Sequence, residues 1–127
     1  MKADIKDHLE RTIAASKKRL NEFSLAFAKE PLYTMRWADQ TFEHAAKMEV
    51  YGKALVSLEA PGLQMEVDGE KVFNLRRCIE ILQDLILHET RHPARSTSAM
   101  ANIADQLVNA ARCELLEDLK TFEKEGA

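Results

Sequence analysis

The sequence predicts an all-α protein that folds as an antiparallel up-down-up-down four-helix bundle. Three prolines, at positions 31, 61 and 93, divide the 127 residues into four stretches of about thirty residues each. Within each stretch, apolar residues recur at steps of three and four, the period of an amphipathic helix. Long helices joined by short connections lie antiparallel to their neighbours. We therefore expect one helical domain over residues 1–127, with a possible short β-hairpin at about residues 63–73 between helices two and three.

The first helix is predicted from a single apolar stripe that extends over about 25 residues. Pro31 ends or bends this helix, because proline has no amide hydrogen and disfavours helical geometry in the residue before it. A turn is therefore expected at Pro31. The stripe consists of Ile5, Leu9, Ile13, Ser16, Leu20, Phe23 and Phe27.

The second helix carries the most regular stripe in the chain, with steps that alternate between four and three. Such a stripe faces the core, and Pro61-Gly62 ends the helix. Its members are Trp37, Thr41, His44, Met48, Tyr51, Leu55 and Leu58.

Beyond Pro61-Gly62 the apolar residues alternate with polar ones, which is the pattern of a strand. The two residues Asp68-Gly69 then favour the type I′ turn of a tight hairpin. This turn fixes the register of the two strands. The expected cross-strand pairs are Glu66 with Lys71 and Met65 with Val72.

The third helix extends from Leu75 to about His92, and Pro93 separates it from the fourth. Its apolar residues cover a wide arc, as expected of a helix that touches two neighbours. They are Leu75, Cys78, Ile79, Leu82, Leu85 and Ile86. The fourth helix carries a stripe of Ala104, Leu107, Val108, Ala111, Leu115, Leu119 and Phe122.

Composition and charge exclude several functional classes. A formal net charge of −3 and a pI of about 5.8 provide no overall positive field for nucleic acid. No apolar run approaches the roughly 20 residues of a membrane span, and the charged N-terminal residues do not form a signal peptide. Cys78 and Cys113 lack C-x-x-C spacing and have apolar neighbours, which predicts buried, reduced thiols. We therefore expect a cytoplasmic protein that does not bind membranes.

The sharpest chemical pattern is the H-E-x-x-H sequence of residues 88–92. On a helix, His88 and His92 stand one turn apart, where they can bind zinc while Glu89 acts as a general base. Together with Glu114, the pattern resembles the ligand set of gluzincin-type metallopeptidases, and this resemblance implies Glu114 as the third ligand. A small zinc-dependent hydrolase is therefore the alternative function.

Three observations favour helix capping over zinc binding at this pattern. Arg91 places a positive charge between the histidines, and Pro93 ends the helix directly after His92. A chain reversal near residue 95 sets Glu114 about 20 Å along the helix axis from His92. At a helix C-terminus, His88, Arg91, His92 and Arg95 complement the helix dipole. We therefore expect no cofactor, with zinc as the alternative.

A further metal hypothesis involves His44. If the chain reverses near residue 66, His44 lies level with His88, and the two imidazoles approach each other inside the bundle. With Glu89-x-x-His92 they resemble a ferritin-like dimetal site, which needs two E-x-x-H motifs where this chain has one. The expected role of His44 is that of a core histidine with satisfied hydrogen bonds.

These observations predict a non-enzymatic interaction protein, such as an adaptor, inhibitor or assembly factor. It would bind a protein partner or itself as a homodimer, because apolar stripes of this extent exceed what so small a bundle buries. Tyr33, Met35 and Trp37 form an aromatic and apolar cluster near Pro31, of the kind that interfaces favour. The same three residues alternatively cover one end of the core.

Weak nucleic-acid binding is the second alternative. The basic residues that would carry it are Lys17, Lys18, Arg19, Arg76 and Arg77. No aromatic residues are interleaved with them, and acidic residues share the first helix, so a solvated polar face is the competing interpretation.

Overall fold

Four long helices and one short helix account for most of the residues that the computed structural model describes. These residues are 1–93 and 98–126, apart from the side chains of Tyr33 and Thr34. The helices are α1 Lys2–Lys29, α2 Pro31–Arg36, α3 Ala38–Ser57, α4 Leu75–Arg91 and α5 Ala99–Glu125. Between α3 and α4 lie a 3₁₀ helix, Pro61–Leu63, and the strands β1 Gln64–Val67 and β2 Glu70–Phe73. The predominantly helical fold and the hairpin are thus confirmed, and the four predicted helices correspond to α1, α3, α4 and α5.

Pro31 begins a short helix, where the sequence predicted a turn. α1 ends at Lys29, and the Glu30 amide still donates to the Ala26 carbonyl at 2.7 Å. Pro31 is the first residue of the six-residue helix α2. Proline is well suited to this position, because the first residues of a helix have no intrahelical acceptor for an amide hydrogen. The chain therefore passes from α1 to α3 through a helix of six residues, about 1.7 helical turns.

The hairpin has the predicted turn and register. β1 and β2 are antiparallel, with Glu66 opposite Lys71 and Met65 opposite Val72. Asp68 and Gly69 have φ angles of 53° and 81°, and two positive φ angles are what a type I′ turn requires.

Backbone and side-chain hydrogen bonds attach the hairpin to the helices. Gln64 Nε2 donates to the Leu58 carbonyl at 2.8 Å, and the Asn74 amide donates to the Leu63 carbonyl at 2.7 Å. Asn74 Oδ1 in turn accepts from the Arg77 amide and caps the N-terminus of α4. The hairpin is therefore continuous with the ends of both α3 and α4.

One hydrophobic cluster draws on all four long helices and on β2. α1 packs against α3, α3 against α5, and α4 against α5. Helix α3 contributes the buried Ala46 and Val50 in addition to Tyr51, and Leu58 directly after α3 is also buried; the predicted stripe contains Tyr51 and Leu58. Helix α3 lies between α1 and α5 and therefore has two buried sides. The single stripe predicted from the sequence describes only one of them. The cluster consists of Ile5, Leu9, Ala46, Val50, Tyr51, Leu58, Leu63, Phe73, Leu75, Ile79, Leu82, Ala111, Leu115 and Leu119.

Both cysteines are free thiols. Cys78 is half-buried, and burial raises its pKa, whereas Cys113 is exposed on α5 in contrast to the prediction of two buried cysteines. None of the described helices combines the length and the apolar character that a membrane span requires.

Candidate functional site

An apolar groove lies between α3 and α4, with α5 as its floor. Its volume is about 330 Å³, in the range of sites that hold small molecules or the side chains of a docked segment. Most of its lining is aliphatic, and we refer to it below as the α3–α4–α5 groove. The lining consists of Val50, Lys53, Ala54 and Ser57 from α3, Leu63 from the 3₁₀ helix, Cys78, Ile81, Leu82 and Leu85 from α4, and Val108, Arg112 and Leu115 from α5.

The wide apolar arc of α4 explains why the groove is open. The arc predicts two neighbouring helices, and α4 packs along α5, where Ile79 and Leu82 are buried. On the side that faces the groove, Leu85 is 47% exposed and Ile81 is also exposed. Exposed aliphatic side chains that line a concave surface are typical of a binding site.

Both charged residues that line the groove are positive. Lys53 Nζ lies 3.3 Å from Glu49 Oε1 at the exposed rim. The half-buried Arg112 forms no ion pair or hydrogen bond with any residue in the described ranges. The guanidinium nitrogens of Arg112 are not among the buried polar atoms, so water reaches them, but no acceptor among the described residues does. A bound carboxylate would supply that acceptor.

A second apolar hollow of about 190 Å³ shares Val108 with the groove. It lies between the N-terminal halves of α3 and α5 and contains the exposed Phe42, Met100 and Ile103. The two hollows together extend along α3 from Phe42 to Ser57, a distance of about 22 Å at 1.5 Å per residue.

The predicted interface residues lie elsewhere. Met35 on α2 is 73% exposed and Trp37, at the start of α3, is 41% exposed; neither lines the groove. The Tyr33 side chain lies outside the described part of the chain. The two described residues leave much of their surface open to water, and their role in an interface stays a prediction.

The H-E-x-x-H residues lie in the last turn of α4 and at its end, and Arg95 of the predicted cap lies outside the described residues. The His88 and His92 rings are 5.3 Å apart and both are exposed, with the His92 amide donating to the His88 carbonyl. Glu114 forms an ion pair with Lys47 of α3 at 2.8 Å. Within residues 1–93 and 98–126, no group of three His, Cys, Asp or Glu side chains is placed to hold a metal ion. The structure therefore does not bring Glu114 to the two histidines as a third ligand.

His44 belongs to the contact between α3 and α1. Its Nδ1 lies 3.3 Å from Oγ of the buried Ser16, and its ring lies 6.4 Å from that of Phe23. Burial is the main cause that lowers the pKa of His44, and the nearby charges of Lys47 and Arg19 lower it further. Among the described residues, His44 contacts Ser16 and Phe23 of α1 and not His88.

A polar cluster that sequence analysis missed joins α1, α3 and α5. The Tyr51 hydroxyl donates to Asp118 Oδ2 at 2.6 Å, and His8 Nε2 lies 2.9 Å from the same oxygen. Tyr51 is fully buried, and burial together with its hydrogen bond to Asp118 raises its pKa. No motif could have revealed this cluster, because its three members are brought together only by helix packing.

The basic residues of the nucleic-acid hypothesis lie in two separate places. Arg76 lines the same surface depression as Lys2, and 15 helical residues, or about 22 Å, separate Lys2 from Lys17. Arg76 pairs with Glu123 at 2.9 Å, and Arg19 pairs with Glu22 at 2.6 Å. Carboxylates therefore already compensate part of the positive charge at both places.

We expect His44 to make the protein less stable in mild acid. Because the folded protein lowers the pKa of His44, the unfolded chain binds a proton more readily once the pH falls below about 6.5. The free energy of unfolding should therefore decrease between pH 7 and pH 5. Urea unfolding at both pH values should show that the free energy of unfolding of His44→Gln falls less from pH 7 to pH 5 than that of the wild type. His88→Gln, at an exposed histidine, serves as the control, and equal decreases for His44→Gln and the wild type would contradict the prediction.

Comparison of the chain with protein-family models, with curated proteins and with solved structures yields no match.

Proposed function

We propose that this chain is a non-enzymatic interaction protein that holds an amphipathic helix of a protein partner in the α3–α4–α5 groove. The observation that carries the proposal is an open aliphatic groove whose half-buried Arg112 has no acceptor among the described residues. Helices that bind in grooves insert apolar side chains at spacings of three and four residues. The occupant would insert aliphatic side chains between α3 and α4 and direct a carboxylate to Arg112.

The contacts between helices support an up-down-up-down arrangement as the scaffold of this groove. Lys2 pairs with Glu59, and further along α1 Ser16 contacts His44, as expected for antiparallel α1 and α3. The pair of Arg76 with Glu123 joins the start of α4 to the end of α5, as expected for antiparallel neighbours. In such a scaffold α3 and α4 are also antiparallel and form the two walls of the groove.

We place the protein in the cytoplasm as part of the same proposal. The two free thiols, Cys78 and Cys113, suit a reducing compartment. Cys78 lies inside the groove, where it offers a thiol that a bound helix would shield from alkylating reagents.

A comparison of two matched variants tests the proposed site. Leu85→Glu places a charge in the groove, whereas Val56→Glu makes a similar change at a 75% exposed position of α3 that does not line it. A protein captured by the wild type is purified, and its affinity for each variant is measured by calorimetry. We expect Leu85→Glu to weaken binding tenfold or more and Val56→Glu to leave it unchanged. Equal affinities of the wild type and Leu85→Glu would overturn the proposed site.

Zinc hydrolysis is the alternative, and one measurement separates it from the proposal. A metal that binds only the folded state at one hundred times its Kd stabilises that state by about 2.7 kcal/mol. We expect zinc to leave the melting temperature of the untagged protein unchanged, because His88 and His92 have no third ligand in the described chain. A zinc-dependent rise that disappears in His88→Ala would support the hydrolase instead.

A further inference from the structure

The exposed side of α4 has the features that the groove requires of its occupant. Ile81 and Leu85 are exposed aliphatic residues one helical turn apart. Asp84 lies on the same side, is exposed, and forms no ion pair with any residue in the described ranges. Residues three and four positions apart share one face of a helix, so Ile81, Asp84 and Leu85 form one surface.

We infer that the occupant of the groove is α4 of a second copy of this chain, in an isologous homodimer. This inference rests on the proposed function and names its partner. Because α4 is itself one wall of the groove, a twofold axis beside it lays each α4 antiparallel to the other and over the other copy's groove. Ile81 and Leu85 of each copy then fill the groove of the other. The Asp84 carboxylate of each copy accepts from the Arg112 guanidinium of the other.

Charge and length both favour a second copy. Neither Arg112, which lines the groove, nor Asp84 on α4 forms an ion pair within the described ranges, so a dimer that brings them together forms two ion pairs at once. Helix α4, with 17 residues, is about 25 Å long, and the two apolar hollows extend over about 22 Å of α3. The exposed aliphatic and aromatic residues along that length, Phe42, Met100, Ile103, Ile81 and Leu85, are those that a second α4 would cover.

Sedimentation velocity over a wide range of protein concentration tests the inference. We expect the mass of the wild type to rise with concentration from 14.4 kDa to twice that value. A mass of 14.4 kDa at every concentration would overturn the inference. We expect Leu85→Glu to raise the dimer Kd at least tenfold and Val56→Glu to leave it unchanged. Equal Kd values for these two variants would also overturn the inference.

Charge reversal tests the contact between the copies. Asp84→Arg and Arg112→Asp should each raise the dimer Kd about tenfold, because each places like charges together. The double variant, Asp84→Arg with Arg112→Asp, should restore the Kd to near the wild-type value, since it exchanges the two charges. A double variant as weak as the single variants would overturn the assigned contact. Circular dichroism of each variant verifies that the fold is retained, as expected at exposed or half-buried positions.

The outcome also separates this inference from the proposed function. A wild-type protein that stays monomeric, but whose binding to another protein is weakened by Leu85→Glu, overturns the homodimer and retains the groove as a binding site. If the wild type dimerises but Leu85→Glu does not change the dimer Kd, the homodimer through α4 is overturned. The affinity measurements on a purified partner then decide separately whether the groove is a binding site.

Discussion

Replacing Ile79 with alanine is expected to lower the free energy of unfolding by about 2–5 kcal/mol. Ile79 is 0% exposed and belongs to the hydrophobic cluster at the contact between α4 and α5. Its truncation removes three carbon atoms from contact and leaves a cavity that neighbouring helices cannot fill without moving. Urea unfolding monitored by circular dichroism measures the change.

The matched control for this variant is Ile103→Ala. The same side chain is removed from a helix, so the gain in helix propensity is equal, but Ile103 is 46% exposed. At a protein concentration low enough to keep the chain monomeric, its loss should cost less than about 1 kcal/mol. Equal losses for Ile79→Ala and Ile103→Ala would show that α4 is not held to α5 by its buried face.

Replacing Asp118 with alanine is expected to lower the free energy of unfolding by about 1–3 kcal/mol. The variant leaves the buried Tyr51 hydroxyl without its acceptor, and His8 loses the same carboxylate. A buried donor without an acceptor costs more than the hydrogen bond itself contributes, because the hydroxyl has given up its hydrogen bonds to water. Thermal or urea unfolding of the variant measures the loss.

A double-mutant cycle isolates the contact of Tyr51 with Asp118. Adding Tyr51→Phe to Asp118→Ala removes the orphaned hydroxyl, so the double variant should lose less stability than the sum of the two single variants. Asp118→Asn keeps an acceptor oxygen, so its free energy of unfolding should fall less than that of Asp118→Ala. Strict additivity of Tyr51→Phe and Asp118→Ala would contradict the hydrogen bond.

The groove and the polar cluster lie on different sides of α5 and have different roles. Asp118, Tyr51 and His8 join α1, α3 and α5 through hydrogen bonds that are satisfied within the fold. Arg112, also on α5, lines the groove, where the described fold offers it no such acceptor. A polar group that the fold satisfies stabilises that fold, whereas a charged group beside an apolar surface and without a protein partner is available to a ligand. This difference is why we assign a structural role to the cluster and a binding role to the groove.

Features that depend on neighbouring residues were predictable from the sequence. The hairpin register follows from the Asp68-Gly69 turn alone, because a two-residue loop leaves the strands one way to pair. Pro31 was correctly identified as the end of the first helix, although the turn expected there is the helix α2. Proline both ends one helix and suits the first turn of the next, and the sequence pattern could not separate the two outcomes.

The candidate sites depended on packing to a greater degree. The H-E-x-x-H pattern correctly indicated two histidines one turn apart. Their exposure at the end of α4 and the pairing of Glu114 with Lys47 depend on the tertiary structure. The aromatic cluster near Pro31 was predicted from residue type, whereas the sequence pattern predicted no role for Arg112. A lone arginine on a helix is usually solvated. Arg112 becomes a candidate binding residue only because the apolar walls of α3 and α4 lie beside it.

The sequence by itself determined the four long helices, their approximate ends, the hairpin with its register, and an apolar surface on α4 wide enough for two neighbours. The tertiary structure alone decided that α4 packs along α5 and leaves Leu85 and Ile81 exposed to the groove. It also brought His8, Tyr51 and Asp118 together from three helices. Helical period and turn chemistry act over a few residues and can therefore be read along the chain. The packing of whole helices decides which apolar stripes contact each other. The groove therefore exists only in the assembled set of helices.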